Sequence, residues 1–247
     1  MADAARAKTN RGKRDGQGPR TLAIDIGGTG LKASVLDADG KMLHDRVRVE
    51  TPVGQPPAAI VEALAALVAP LPAYDRVSVG FPGVVRSGKI LTAANLGHPA
   101  WIGFDLAKAM EKRLRKPTRV VNDADMQGLA AVEGKGVELV VTLGTGFGTA
   151  LYLDGRLAPH LELAHHPFRK GESYEEQLGN AARSKVGTQK WNKRIQRAIK
   201  TLRLLVHFDH LYIGGGNAKK IAFAPDPDVT VISNEAGIRG GVALWRS

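Results

Sequence analysis

The sequence predicts a mixed α/β protein built from two related halves, and three observations predict it. A unit of strand, glycine turn and strand, "LAIDIGGTGLKASVLD" at residues 22–37, returns as "ELVVTLGTGFGTALYLDGRL" at 138–157. Between the copies, strand-like and helix-like stretches alternate, which argues a mixed sheet flanked by helices. A further β-branched run, "LYIGGG" at 211–216, again ends in glycines.

In the first unit Lys32, Ser34 and Leu36 alternate with Ala33 and Val35, the period of a strand, so the glycine turn does not open a helix. Strands are expected at 21–26, 32–37 and 42–49, the last two joined by the turn "DADGK". A proline-rich loop leads to the alanine-rich helix "AAIVEALAALVA", the strand "RVSVGF", a turn with Pro82 and Gly83, and a short hairpin through "RSGK". A helix near 105–115, the strand "TRVVND" and a helix over 124–133 complete the first half. The second unit aligns with the first at a constant offset of 117, pairing Gly27 with Gly144, Ala33 with Ala150 and Asp37 with Asp154. Beyond it come "DHLYIGGGNAKKI", read as strand, triple glycine and a helix candidate, the strand "VTVIS", and a terminal helix "EAGIRGGVALW".

Composition narrows the chemistry. The 247 residues contain no cysteine, which excludes disulfides and thiolate metal sites, and seven scattered histidines make a structural zinc site a poor reading. No apolar run approaches the roughly 20 residues of a membrane span. The start "MADAARAKTNRGKRDGQGPR" lacks a signal peptide's apolar stretch, so the cytoplasm is the expected compartment, with no membrane partner. The formal charge is +11, of which residues 1–20 supply +4 in a low-complexity tail expected to be disordered. From Gln177 to Phe208 there is no acid, yet eight Lys or Arg fall there. Trp191, Ile195, Ile199 and Leu202 recur at helical spacing and leave Lys193, Arg197 and Lys200 on the polar side, a basic stripe. Such a stripe is either a solvated face or a surface for a polyanion.

Four places carry chemistry. Glycine turns bring backbone N–H groups close to an anion because no Cβ intervenes, and phosphate is the natural guest. Asp25 has no counterpart in the second copy, where Leu143 is read at the matching place; beside a phosphate cradle it would attract Mg²⁺ or cap the turn. In "VVNDAD", Asn122 and Asp123 stand where a strand opens a helix, as N-cap residues or, for Asp123, as a general base toward an attacking hydroxyl. In "LELAHHPF", Glu162 and His165 are three apart and suited to vicinal sugar hydroxyls, while His165 and His166 lack the further ligands a metal would need.

Taken together, "DIGGTGLK", "FPGVV", "NLGHPAW", "VVNDAD", "LGTGFGTAL", Glu162-x-x-His165 and "YIGGG" resemble, in order and approximate spacing from about residue 21 to 247, the ROK-family sugar kinases, and within them the polyphosphate glucokinases and glucomannokinases. The resemblance implies an actin-like ATPase (ribonuclease H-like) fold of two α/β domains around a cleft. A small domain would comprise 21–122 plus 232–247, with the C-terminal helix returning to it, and a large domain 123–231. It implies Asp123 as the base, and Asn122, Glu162, His165, Glu175 and Gly83 as the sugar set, with Glu176 an alternative to Glu175. Asp25, Gly27, Gly28, Thr29 and Lys32 would form the first phosphate loop, with Asp25 near Mg²⁺. Gly144, Thr145 and Gly146 would form the second, and Gly214, Gly215 and Gly216 would approach nucleotide or distal phosphates. Many members carry a cysteine-rich zinc motif after the Glu-x-x-His element, whereas here "HPFRKGESYEEQLGNAARSKVG" stands, as in the polyphosphate-using branch.

The expected activity is phosphoryl transfer from inorganic polyphosphate, ATP or both to the 6-hydroxyl of glucose, with mannose as a further candidate acceptor. Alternatives are a strictly ATP-dependent ROK hexokinase for another hexose and a non-catalytic polyanion-binding protein. Nucleic acid is not an expected partner, and a homodimer is a candidate assembly.

Overall fold

A computed structural model describes residues 18–232 and 236–246. Most of the basic tail, Ser233 of the expected last strand and Glu235 of the terminal helix therefore lie outside the described residues.

The first half runs β1 (Thr21–Ile26), β2 (Leu31–Leu36), β3 (Val47–Val49), α1 (Pro57–Val68), β4 (Arg76–Phe81), a small hairpin β5 (Val85–Arg86) and β6 (Lys89–Ile90), α2 (Leu106–Leu114), β7 (Thr118–Asn122) and α3 (Asp123–Gly128). The second half runs β8 (Val137–Leu143), β9 (Phe147–Leu153), β10 (Arg156–Leu157), a hairpin β11 (Pro167–Arg169) and β12 (Glu172–Ser173), α4 (Tyr174–Leu178), α5 (Asn180–Val186), α6 (Thr188–Val206), β13 (His210–Gly214), β14 (Val229–Val231) and α7 (Ala236–Ala243). Among the described residues the main strands form two five-stranded sheets, ordered β3-β2-β1-β4-β7 and β10-β9-β8-β13-β14, with the short strands β3, β10 and β14 at edges. Both orders are the same topology. In each, an antiparallel meander of three strands continues through its first strand into two parallel strands.

Alternation along the strands decides what each face carries. Leu22, Ile24, Val77 and Val79 point to α1 and α2, joining Ile60, Leu64, Leu106 and Met110 in one core. Ala23, facing the other way, packs with Leu36 against Ile238 and Val242 of α7. In the second sheet Leu139, Val141, Leu211 and Ile213 meet Trp191, Ile195, Ile199 and Leu202 of α6, and Val140, Ala150 and Tyr212 pack on the opposite face with Ala124 of α3. Each fully buried aliphatic side chain contributes about 1.5–3 kcal/mol. The layers are thus α1 and α2, first sheet, α7 beside α3, second sheet, α6.

Several expectations change. The strand expected over 42–49 is reduced to Val47–Val49 plus a single bridge between Met42 and Leu36, because Asp37 Oδ1 accepts from the N–H groups of Asp39 and Lys41 and holds a broad turn. The helix expected over 124–133 ends at Gly128, after which Ala130 and Ala131 bond back three residues in a tighter turn. Behind the triple glycine stands one 3₁₀ turn, Ala218–Lys220. The constant offset of 117 also breaks. The first turn spans residues 27–30 and the second only 144–146, so after the turn the offset is 116 and Ala33 matches Thr149. Likewise the residue matching Asp25 is Thr142, not Leu143: Asp25 lies opposite Lys32, and Thr142 lies opposite Gly148.

Candidate active site

A cleft of about 630 Å³ opens between the sheets, at the carboxyl ends of their parallel strands, where α/β sheets place their ligands. Asp25 stands one residue before the end of β1, Pro82 and Gly83 follow β4, Asn122 ends β7, Gly144 follows β8, and Gly215 follows β13. Five strand ends converge on one space.

Asp123 is the first residue of α3. Asn122 caps that helix, its side-chain oxygen accepting from the N–H of Ala124 (2.8 Å) and of Asp125 (3.3 Å), while its amide donates to the carbonyl of Gly83 (3.1 Å). The cap role read from sequence is therefore filled by Asn122, which also lines the cleft. Gly83 is kept as glycine by its neighbour, since a Cβ there would strike the Thr92 carbonyl. Asp123 Oδ1 accepts from the Ala124 N–H at 2.8 Å. Burial and then the nearby Asp25 charge push the Asp123 carboxyl up to about 7, against the Ala124 hydrogen bond and the His160 charge. A carboxylate titrating there is suited to take a proton at neutral pH.

The first glycine turn closes with Gly27 N–H donating to Gly30 O (3.0 Å), and Gly27, Gly28, Thr29, Asp25 and Lys32 line the cleft. The cross-strand register brings Lys32 Nζ to 2.9 Å from Asp25 Oδ2, an ion pair about 30% exposed, with Arg46 also lining the cleft. In the second turn the Gly144 carbonyl accepts from Asn180 N–H (3.1 Å) and from the Asn217 amide (3.1 Å). The trans peptide then turns the Thr145 N–H away from those partners. At Gly144 and Gly216 a Cβ would meet nothing within 4 Å, so packing does not demand glycine there, and the bare backbone faces open space. Gly146 instead leaves room for the Glu175 carboxylate, and Gly215, at φ +87° against Leu143, is confined to glycine by backbone and packing alike.

Glu162, His165 and Glu175 line the same cleft. Glu176 completes a capping box with Ser173 at the start of α4. Gly214 is outside the lining and packs on Gln127. Lys193, Arg197 and Lys200 are exposed on the outer face of α6 and are not brought to the cleft. Arg203, counted among the unbalanced charges, pairs with Asp226 (2.9 Å) and Asp228 (2.8 Å). Sequence reasoning missed Asn95, His160, Asn180 and Asn217 as lining residues. Asn217 directly follows the triple glycine and His160 stands two before Glu162, signals of proximity only.

Residues 21–160 match the ROK family. The chain is 31% identical to the polyphosphate glucokinase of Mycobacterium tuberculosis over 209 residues, covering 81% of this chain and 78% of that protein. It superposes on the crystal structure of the inorganic polyphosphate/ATP-glucomannokinase from Arthrobacter sp. strain KM with a TM-score of 0.82 at 33% identity, over 93% of this chain and all of that one. The ROK family glucokinase of Streptomyces griseus, solved with glucose and AMPPNP, shares the fold, with a TM-score of 0.70 at 20% identity over 91% of this chain and 98% of that one. The two sheets are those of an actin-like ATPase fold. This chain belongs to the ROK family, as a sugar kinase related to the polyphosphate glucokinases.

Proposed function

We propose that the protein transfers the terminal phosphoryl group of inorganic polyphosphate, and of ATP, to the 6-hydroxyl of glucose, with mannose as a second acceptor. The observation that carries the reading is the placement of Asp123, at a strand end in the cleft, with a carboxyl that titrates near neutrality beside two glycine turns. Asp123 aligns the hydroxyl and takes its proton, while Asn122, Gly83, Glu162, His165 and Glu175 hold the sugar. Phosphoryl transfer asks for in-line positioning and charge neutralisation more than covalent chemistry. Lys32, with the N–H groups of Gly28, Thr29, Thr145 and Gly146, supplies that on the donor side, and Gly215 and Gly216 flank its distal end. The two lobes, 21–122 with 232–247 and 123–231, close on the substrates and exclude water.

Among the described residues no cluster of three or more His, Asp or Glu is arranged for a metal. Mg²⁺ needs less, since it retains waters and takes one or two carboxylates plus substrate phosphates. Asp25, one hard oxygen donor held by Lys32 beside the first turn, fits that demand and would hold the ion, which neutralises donor phosphate charge.

Support for polyphosphate as donor comes from the resemblance to the two polyphosphate enzymes and from the +11 charge. The test is glucose-6-phosphate formation with Mg²⁺, comparing long-chain polyphosphate and ATP at low and high salt. Polyphosphate-dependent product that falls steeply with salt is expected. Product from ATP alone would return the donor assignment to the nucleotide, and product from neither would overturn the glucose reading.

A further inference from the structure

His160 was not among the residues singled out in the sequence, yet its side chain stands between two carboxylates at the cleft. Its ring is 5% exposed, in the segment after β10. Nδ1 lies 3.0 and 3.2 Å from the two carboxylate oxygens of Asp125, itself 4% exposed on α3. Nε2 lies 3.6 Å from Glu162 Oε2, and the other Glu162 oxygen accepts from the Ala164 N–H at 3.1 Å. Glu162 is thus held from both sides, by an imidazole anchored on α3 and by a main-chain N–H of its own loop.

We propose that His160 is a positioning residue for the acceptor sugar: anchored by Asp125, its second ring nitrogen orients the ionised Glu162 carboxylate so that its free lone pairs meet sugar hydroxyls. The proposal rests on the hexose-kinase reading of the cleft. A second task follows from charge. Asp25, Asp123, Glu162 and Glu175 line one small space, and an imidazolium there offsets their mutual repulsion.

The groups around the ring agree with this role. Asp125 and Asp123 face it from α3, Glu162 and His165 belong to its own loop, and the Tyr152 hydroxyl of β9 is occupied by the Asp125 main-chain carbonyl. Burial alone would lower the His160 pKa, but the Asp125 hydrogen bond and the charges of Asp125 and Glu162 outweigh it and push it up to about 9. Burial would raise Glu162, but His160 and the Ala164 N–H hold it below the ordinary carboxylate value. His160 therefore stays protonated through neutral pH and loses its grip on Glu162 only as pH passes about 9.

The test is a double-variant cycle in the full chain, with His160→Gln, Glu162→Gln and the pair, reading hexose KM, donor KM and kcat. A charge-assisted contact held through Glu162 predicts a hexose KM raised about tenfold or more in His160→Gln, with kcat and donor KM changed less than threefold. Adding His160→Gln to Glu162→Gln should then change little, because the partner is already gone. Additive losses, or a lowered melting temperature with unchanged hexose KM, would overturn the proposal. The wild-type chain gives a readout independent of turnover and of variant folding. The His160 ring resonances should remain those of the imidazolium to about pH 8, and Asp125→Asn should bring their titration down. Titration near the ordinary 6.5 in the wild type would overturn the clamp. If the wild-type chain phosphorylates no hexose, the kinase reading fails by itself, and the ring titration still decides the clamp.

Discussion

At the scale of single residues, Asp123 shows a site arranged against local stability. Its folded pKa of about 7 lies above the ordinary aspartate value of 3.8, so the fold prefers the protonated form. The stability this group contributes is fully present below about pH 4 and is lost as pH rises through about 7. Asp123→Asn removes the ionisation and should melt above the wild type at pH 8, with the gap closing toward pH 4; a variant that melts lower at pH 8 would contradict the burial argument. The same substitution should reduce kcat by about 10²–10⁴-fold while hexose binding, measured by calorimetry, is largely kept. In the wild type kcat/KM should fall about tenfold per unit below pH 7, as the proposed base is protonated. Asp25 is the second cause of the shift, so Asp25→Asn should move that limb to lower pH.

At the scale of elements, α6 separates two tasks that one helix performs on opposite faces. Trp191, Ile195, Ile199 and Leu202 are its core side, and Lys193, Arg197 and Lys200 its solvent side, outside the cleft. The stripe lies outside the cleft lining, so under the proposed donor assignment only a donor long enough to extend beyond the cleft would meet it. Reversing Lys193, Arg197 and Lys200 to Glu should therefore raise the KM for long-chain polyphosphate about tenfold or more and flatten its salt dependence, while tripolyphosphate and ATP are used as before. Equal effects on all three donors would make the stripe a solvated surface. The core side of α6 was legible because its 3.6-residue period spans nineteen residues. The short helices α4 and α5 were not, since five and seven residues offer too little period. Both glycine turns were legible by composition, but their one-residue difference in length was not, because only pairing across the strands reveals that Asp25 faces Lys32 and Thr142 faces Gly148. Asp123 and Glu162 could be singled out as residue types in suggestive places. The His160 bridge between Asp125 and Glu162 could not, because it joins α3 to a loop 35 residues away.

At the scale of the whole molecule, α3 and α7 are the layer through which the sheets touch. Ser78 of β4 donates to the Gly241 carbonyl and receives the Trp245 indole N–H, and Arg119 donates to the Leu244 carbonyl, fixing the chain end to the first sheet. Gly240 and Gly241 let α7 lie that close: a Cβ on Gly241 would come within 2.8 Å of the Ala23 Cβ, and one on Gly240 would run into the Met126 carbonyl of α3. The proposed base rides on that contact, since Asp123 begins the same helix three residues before Met126. Gly240→Val should overpack the layer at a cost of about 1–3 kcal/mol and lower the melting temperature by several degrees. Because the side chain must push α3, kcat should fall with it while donor KM, set at the glycine turns, changes little. A variant that melts lower yet turns over normally would mean that α7 yields instead of α3, and that the base is held by the Asn122 cap and the second sheet alone.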